Sequence, residues 1–175
     1  MNFISEYALG IFPYTFSANS RSTSGRRVVS DFVMTEQHSR RENPAVVPDP
    51  VAVAYWPPDV HSVRRIVRDG AAYDEGFVFG GATWRPFGVA YRSLVPKASE
   101  CTNLLAPSCP SSSHIAFGAI RIEFTFMAMG QACGAAAVLA LNGKTRVQGV
   151  NYGQLKDLLL REGAVLNASQ IGTPE

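Results

Sequence analysis

Apolar and polar positions repeat with different periods along this chain, and the periods mark its elements. Residues 27–34 (RVVSDFVM) are β-branched and aromatic with partial alternation, which predicts a strand. Residues 35–50 are polar and proline-rich and read as a loop. A continuous apolar run at 51–56 predicts a second strand, ended by Pro57 and Pro58. Asp59 then stands where a helix N-cap belongs. Val60, Val63, Ile66 and Val67 follow at helical spacing, and Gly70 sits where a glycine stops a helix, so a short helix or helical turn is expected. Residues 70–88 are rich in glycine and aromatics and predict a loop with one short strand at 76–79. Further on, residues 102–106 form a short apolar run that reads as a buried strand, and 107–113 a Ser/Pro loop.

The longest regular segment comes next. Residues 123–142 are apolar and small, with no charge between Phe124 and Leu141, and Gly143 follows them. They predict a helix whose glycines and alanines let another backbone or a flat ring approach closely. Its first turn would present unpaired N–H groups and a partial positive charge, suited to an anion or an electron-rich carbonyl. A core helix packed on a sheet has the same composition. So does a membrane span, given the Gly130-x-x-x-Gly134 spacing. The Thr and Gln of the run and its central small residues favour the buried soluble helix. A last amphipathic helix places Leu155, Leu158 and Leu159 on one face and Lys156, Asp157 and Arg161 on the other, with Gly163 as its stop.

Composition narrows the picture only modestly. The 175 residues are 46% hydrophobic and 17% charged, as in a globular protein. A net charge of +2 gives no ground for a nucleic-acid partner, and the arginine clusters at 21–41 and 64–68 read as solvated faces or local ion pairs. Cys101, Cys109 and Cys133 are too widely spaced for a zinc or cluster motif, and no metal site is expected. Neither a membrane nor a secretory signal is expected, and the expected home is the reducing cytoplasm.

Several stretches, taken in order, resemble one family. They are 26–35 (RRVVSDFVMT), 59–61 (DVH), 91–97 (YRSLVPK), 100–105 (ECTNLL), 113–118 (SHIAFG), 120–123 (IRIE) and 126–137 (FMAMGQACGAAA). Together they resemble the FAD-dependent oxidoreductases that include relatives of the heterodisulfide reductase flavoprotein subunit. The resemblance runs from about Gly25 to Leu166. It implies an α/β fold made of the C-terminal piece of a Rossmann-like FAD-binding domain and part of a β-rich substrate domain. The implied division is 1–24 unmatched and irregular, 25–98 substrate-side, and 99–175 flavin-side, with Asp31, His61 and Arg92 in substrate-side stretches.

What the resemblance implies for chemistry can be placed on single residues. Residues 102–106 would be the last strand of the flavin domain, and 113–123 the loop beside the isoalloxazine. The candidate catalytic residues are His114 and Arg121. The candidate cofactor-binding residues are Asn103, Ser113, His114, Glu123, Phe124, Thr125, Gly130 and Gly134. The N–H groups near Glu123 to Thr125 would meet the flavin N1/C2=O edge, and Gly130 and Gly134 would allow close helix–sheet packing. Each residue also has a plain structural role open to it. His114 can be bonded within its loop, Arg121 and Glu123 can pair at the helix start, Tyr91 and Arg92 can be a packing and a surface residue, and Cys133 reads as core.

Three positions depart from the family pattern. Family members usually carry proline where Ala90 and Phe124 stand, and an aliphatic residue where Pro110 stands. A larger departure is that no Gly-x-Gly-x-x-Gly turn with an acidic residue about 20 positions on occurs in the 175 residues. The expectation is therefore a fragment of an FAD-dependent enzyme acting on an unknown small-molecule substrate, binding FAD weakly or not at all by itself. The alternative is an inactive remnant serving as an interaction or structural module, its exposed apolar surface inviting self-association or a partner chain. Iron–sulfur clusters enter only as an association of some relatives.

Overall fold

A computed structural model of the chain describes residues 27–62, 64–79 and 81–171. Its elements in order are β1 (Pro50–Ala54), β2 (Asp59–Val60), β3 (Arg64–Arg68), β4 (Ala71–Glu75), β5 (Val78–Phe79), β6 (Phe87–Ala90), α1 (His114–Ile120), α2 (Glu123–Asn142) and α3 (Tyr152–Arg161). Short 3₁₀ turns lie between them. The strands form three antiparallel pairs, β1–β6, β2–β5 and β3–β4. This mixture of helices and small antiparallel sheets is a mixed α/β fold.

The core is built where α2 lies on β1. All five β1 residues, PVAVA, are buried, which explains why this strand is apolar throughout and does not alternate. It pairs with β6 from Pro50↔Ala90 to Ala54↔Phe87, with an irregularity between Pro50 and Ala52. The face of α2 carrying Thr125, Met129, Ala132, Cys133, Ala136 and Ala140 is buried, and α2 packs against both β1 and α3. From α3 come Leu155 and Leu159, both buried, while Asn151 caps its start by accepting from the Gln154 N–H at 3.1 Å. Gly163, at φ +78°, ends that helix as expected. Among the described residues, α2 alone is long and apolar enough to cross a membrane by length and composition.

Four expectations are corrected. Residues 27–34 are not a strand. Val28 N–H bonds to Cys109 O and Val29 O accepts from Lys97 N–H, while Met34 alone makes a single bridge, its N–H to Ser111 O and its O from Ser113 N–H, so no ladder forms. The helix expected after Asp59 is instead a set of strands. Asp69 and Gly70 take φ of +51° and +74°, the left-handed pair that a two-residue hairpin turn requires, and β3 folds back on β4 from Arg68↔Ala71 to Arg64↔Glu75. Cross-strand ion pairs hold the exposed ribbon: Arg64–Glu75 at 2.6 Å and Arg65–Asp74 at 2.8 Å. Residues 102–106 form no strand, since Ala106 N–H goes to Leu94 O and Thr102 O accepts from Val147 N–H. Finally, the stretch expected as a loop at 113–123 contains α1.

One buried charge anchors the entry to β1. Asp49 has a side chain only 8% exposed; its Oδ2 accepts from the Arg92 N–H at 3.0 Å and from Arg92 Nε at 3.2 Å, and its Oδ1 has no partner. Burial raises its pKa above the ordinary carboxylate value against the pull of Arg92. An acid whose folded pKa exceeds its unfolded value stabilises the fold fully below the unfolded pKa, and that contribution is lost as pH rises through the folded pKa. Asp49→Asn should therefore remove a loss of stability that the parent chain shows as pH rises from about 4 toward neutrality. Urea midpoints measured across that interval read it, and parallel profiles for the two proteins would contradict the assignment.

Candidate functional site

Helices α1 and α2 meet at a two-residue break, Arg121–Ile122, and the candidate chemistry gathers around it. Ser113 caps α1 by accepting from the Ala116 N–H at 3.2 Å, and its own N–H donates to Met34 O at 2.7 Å. That second bond ties the start of α1 to the irregular segment 27–34 and brings Arg27 alongside. Arg27 Nη2 lies 3.2 Å from His114 Nδ1, and the guanidinium carbon lies 4.5 Å from the centre of the Phe117 ring. A guanidinium only donates, so in this contact Nδ1 is the acceptor. Arg27 Nε is buried with no partner, and desolvation lowers the Arg27 pKa. Among the described residues the cation is held by an aromatic face and an imidazole ring, and it forms no salt bridge to a carboxylate.

At the other end of α1, Arg121 turns toward β2. Its Nη2 donates to Asp59 O at 3.3 Å and lies 3.6 Å from Asp59 Oδ2, while His61 Nε2 lies 3.8 Å from the same carboxylate oxygen. Arg121 thus pairs with Asp59 and not with Glu123. The helix and strand touch closely here because residue 118 is glycine. A Cβ at that position would sit 2.7 Å from Asp59 O and 3.0 Å from Val60 Cγ2.

The start of α2 is open. Ile122 provides no side-chain cap, and the first intrahelical bond runs from Phe126 N–H to Ile122 O. The N–H groups of Glu123, Phe124 and Thr125 are thus left without helical partners. The Thr125 hydroxyl in the same turn is fully buried and is the one buried hydroxyl without a partner among the described residues. Glu123 and Phe124 are exposed, and Phe126 stacks at 6.4 Å on Phe117, linking the first turn of α2 to the Arg27–His114 cluster. Phe124 also lines, with Val51, Val53, Tyr55 and Gln131, an apolar cavity of about 320 Å³ between α2 and β1.

Ser113, His114, Glu123, Phe124 and Thr125 are therefore gathered at one break between helices. Asn103 is not: it accepts from Cys101 Sγ at 3.1 Å beside Thr102, whose carbonyl meets Val147 beyond the far end of α2. The length of α2, about 30 Å, separates it from Glu123. Among the described residues nothing packs closely on Gly130 or Gly134, since a Cβ on either would meet nothing within 4 Å. Arg27, Phe117 and Gly118, which the sequence did not single out, complete this cluster. Arg27 was visible only as one of several arginines, and its partner lies 87 positions away. Among the described residues no group of three or more His, Cys, Asp or Glu side chains could hold a metal ion.

The glycines give a paired test. Gly118→Ala should destabilise the fold by about 1–3 kcal/mol, since the added methyl meets backbone that cannot swing away. Gly134→Ala should be neutral or stabilising by up to about 1 kcal/mol, from helix propensity. Chemical denaturation of both variants measures this, and the reverse order would refute the contact geometry around α1.

The region that carries this site matches a known family. A family model described as FAD dependent oxidoreductase matches residues 24–159. No curated protein and no solved structure matches the chain. With most of its length covered by that model, and with the α1–α2 break inside the matched region, the chain belongs to the FAD dependent oxidoreductase family.

Proposed function

We propose that this chain forms the ring-side wall of a flavin site in an FAD-dependent oxidoreductase, and that another stretch of polypeptide grips the nucleotide. Family membership supports flavin-linked redox chemistry. The observation that carries the siting is the uncapped first turn of α2 with the buried, partnerless Thr125 hydroxyl beside it. Those groups fit the electron-rich edge of a flavin, which offers acceptors to N–H and O–H donors. Nothing in the 175 residues offers the glycine-rich cradle that a pyrophosphate requires.

A bound flavin supplies hydride or electron transfer to a small-molecule substrate. The chain's own residues have narrower tasks. The N–H groups of Glu123, Phe124 and Thr125 hold an anionic or carbonyl edge, and the dipole of α2 favours negative charge there. The exposed ring of His114 stands beside the break, and Arg27, fixed on Phe117, orients that ring from behind. Arg121 is a positioning residue that ties α1 to Asp59.

The finer placement follows from the same motifs. We infer a Rossmann-like flavin domain contributed by residues 99–175, substrate-side elements from 25–98, and kinship with relatives of the heterodisulfide reductase flavoprotein subunit. Three free thiols are in keeping with a reducing cytoplasm. The alternative, an inactive module that works by association, is favoured by one observation, the apolar outer face of α2.

The divided site predicts a colourless protein when the chain is purified alone. Titration with FAD should give a dissociation constant of about 0.1 mM or weaker. Co-expression with a polypeptide carrying a glycine-rich βαβ unit should yield a complex absorbing near the flavin band, and Thr125→Val should weaken its flavin binding several-fold. Stoichiometric flavin on the isolated chain would sink the divided site. A colourless complex would sink the flavin reading itself.

A further inference from the structure

The face of α2 turned away from the core has a pattern of its own. Phe124, Met127, Gln131, Gly134, Val138 and Leu141 follow one another at spacings of three and four, the a and d positions of a heptad sustained over five turns. All six are exposed, with Met127 at 75% and Leu141 at 71%. The flanking positions Ala128, Gly130, Ala135 and Ala137 are all small, and Phe124, Ala128 and Gln131 also border the groove against β1.

The order of side chains along this seam is self-complementary. Reversed on itself about its midpoint, the seam sets Phe124 opposite Leu141, Met127 opposite Val138, and Gln131 opposite Gly134. Large apolar residues meet at both ends, and at the centre each long polar side chain faces the gap left by a glycine. The charges agree. Glu123 stands at one end and Lys144 at the other, both exposed and neither in an ion pair among the described residues. The reversed arrangement sets Glu123 of each copy against Lys144 of the other and opposes the two helix dipoles. A parallel pairing would set Glu123 against Glu123. An interface in which one patch meets itself around a two-fold axis closes at two chains.

We propose that α2 pairs antiparallel with α2 of a second copy of this chain, through the seam Phe124–Met127–Gln131–Gly134–Val138–Leu141. The seam starts at Phe124 and uses Glu123, in the turn assigned above to the flavin edge, so the pairing is tested on the chain without cofactor.

Sedimentation velocity of the full 175-residue chain without detergent and without flavin tests it. A reversible dimer is expected. Met127→Glu and Val138→Glu, both at exposed positions, should raise the dissociation constant by at least about tenfold with an unchanged circular dichroism spectrum. Glu123→Lys or Lys144→Glu alone should weaken the dimer about twofold to fivefold, and the two together should restore it. A monomer at every concentration, a chain that stays in solution only with detergent, a dimer indifferent to the two glutamates, or a charge swap without restoration would each overturn the proposal.

Discussion

The seat of α2 on β1 is the constraint from which the rest of this structure follows. A strand with both faces buried must be apolar at every position, and the helix across it must be small-sided to come close. The sequence meets both demands at once, with PVAVA in the strand and alanines, Cys133 and Met129 on the inner face of the helix. Once that contact is made, β6 is held by pairing, α3 is held by two leucines, and the chain between them has little freedom. Tyrosine hydroxyls close the joints: Tyr91 donates to Val147 O at 2.7 Å and Tyr152 to Pro50 O at 2.9 Å. Burial raises the pKa of both phenols, so they remain donors well beyond neutral pH.

The same contact decides what the open end of α2 can do. Because the helix is fixed by its inner face, its first turn cannot fray to satisfy its own N–H groups, and Ile122 has no side-chain oxygen with which to cap them. The break at Arg121–Ile122 then sets α1 beside that turn, with Gly118 drawing α1 onto β2 and Phe117 touching Phe126. Unpartnered groups and packing groups are thus neighbours in sequence. Thr125 is buried yet unpartnered, whereas Met129, one turn on, is simply core.

How much of this was legible depended on whether the signal was local. The bounds of α2 and the existence of β1 and α3 could be read from uninterrupted apolar runs and a terminal glycine. The β3–β4 hairpin was misread because Val60, Val63, Ile66 and Val67 match helical spacing by coincidence. The deciding residues were the Asp69-Gly70 turn and the arginines facing acids nine and eleven positions away. Residues 102–106 looked like a strand because they are apolar, but no partner edge is offered to them. At the site, Ser113, His114 and the first turn of α2 were legible from motif order. Arg27 was not, since its place on Phe117 exists only after the segment 27–34 has been tied to the start of α1.

Cys133 carries a further consequence. It sits on the inner face of α2, 6% exposed, and burial pushes its thiol up to about 12. Cys101 and Cys109 are only partly covered. The chain therefore contains its own clock for local opening. Two thiols report the reagent's access to the folded surface, and the third reacts only in the moments when the helix has lifted from its strand.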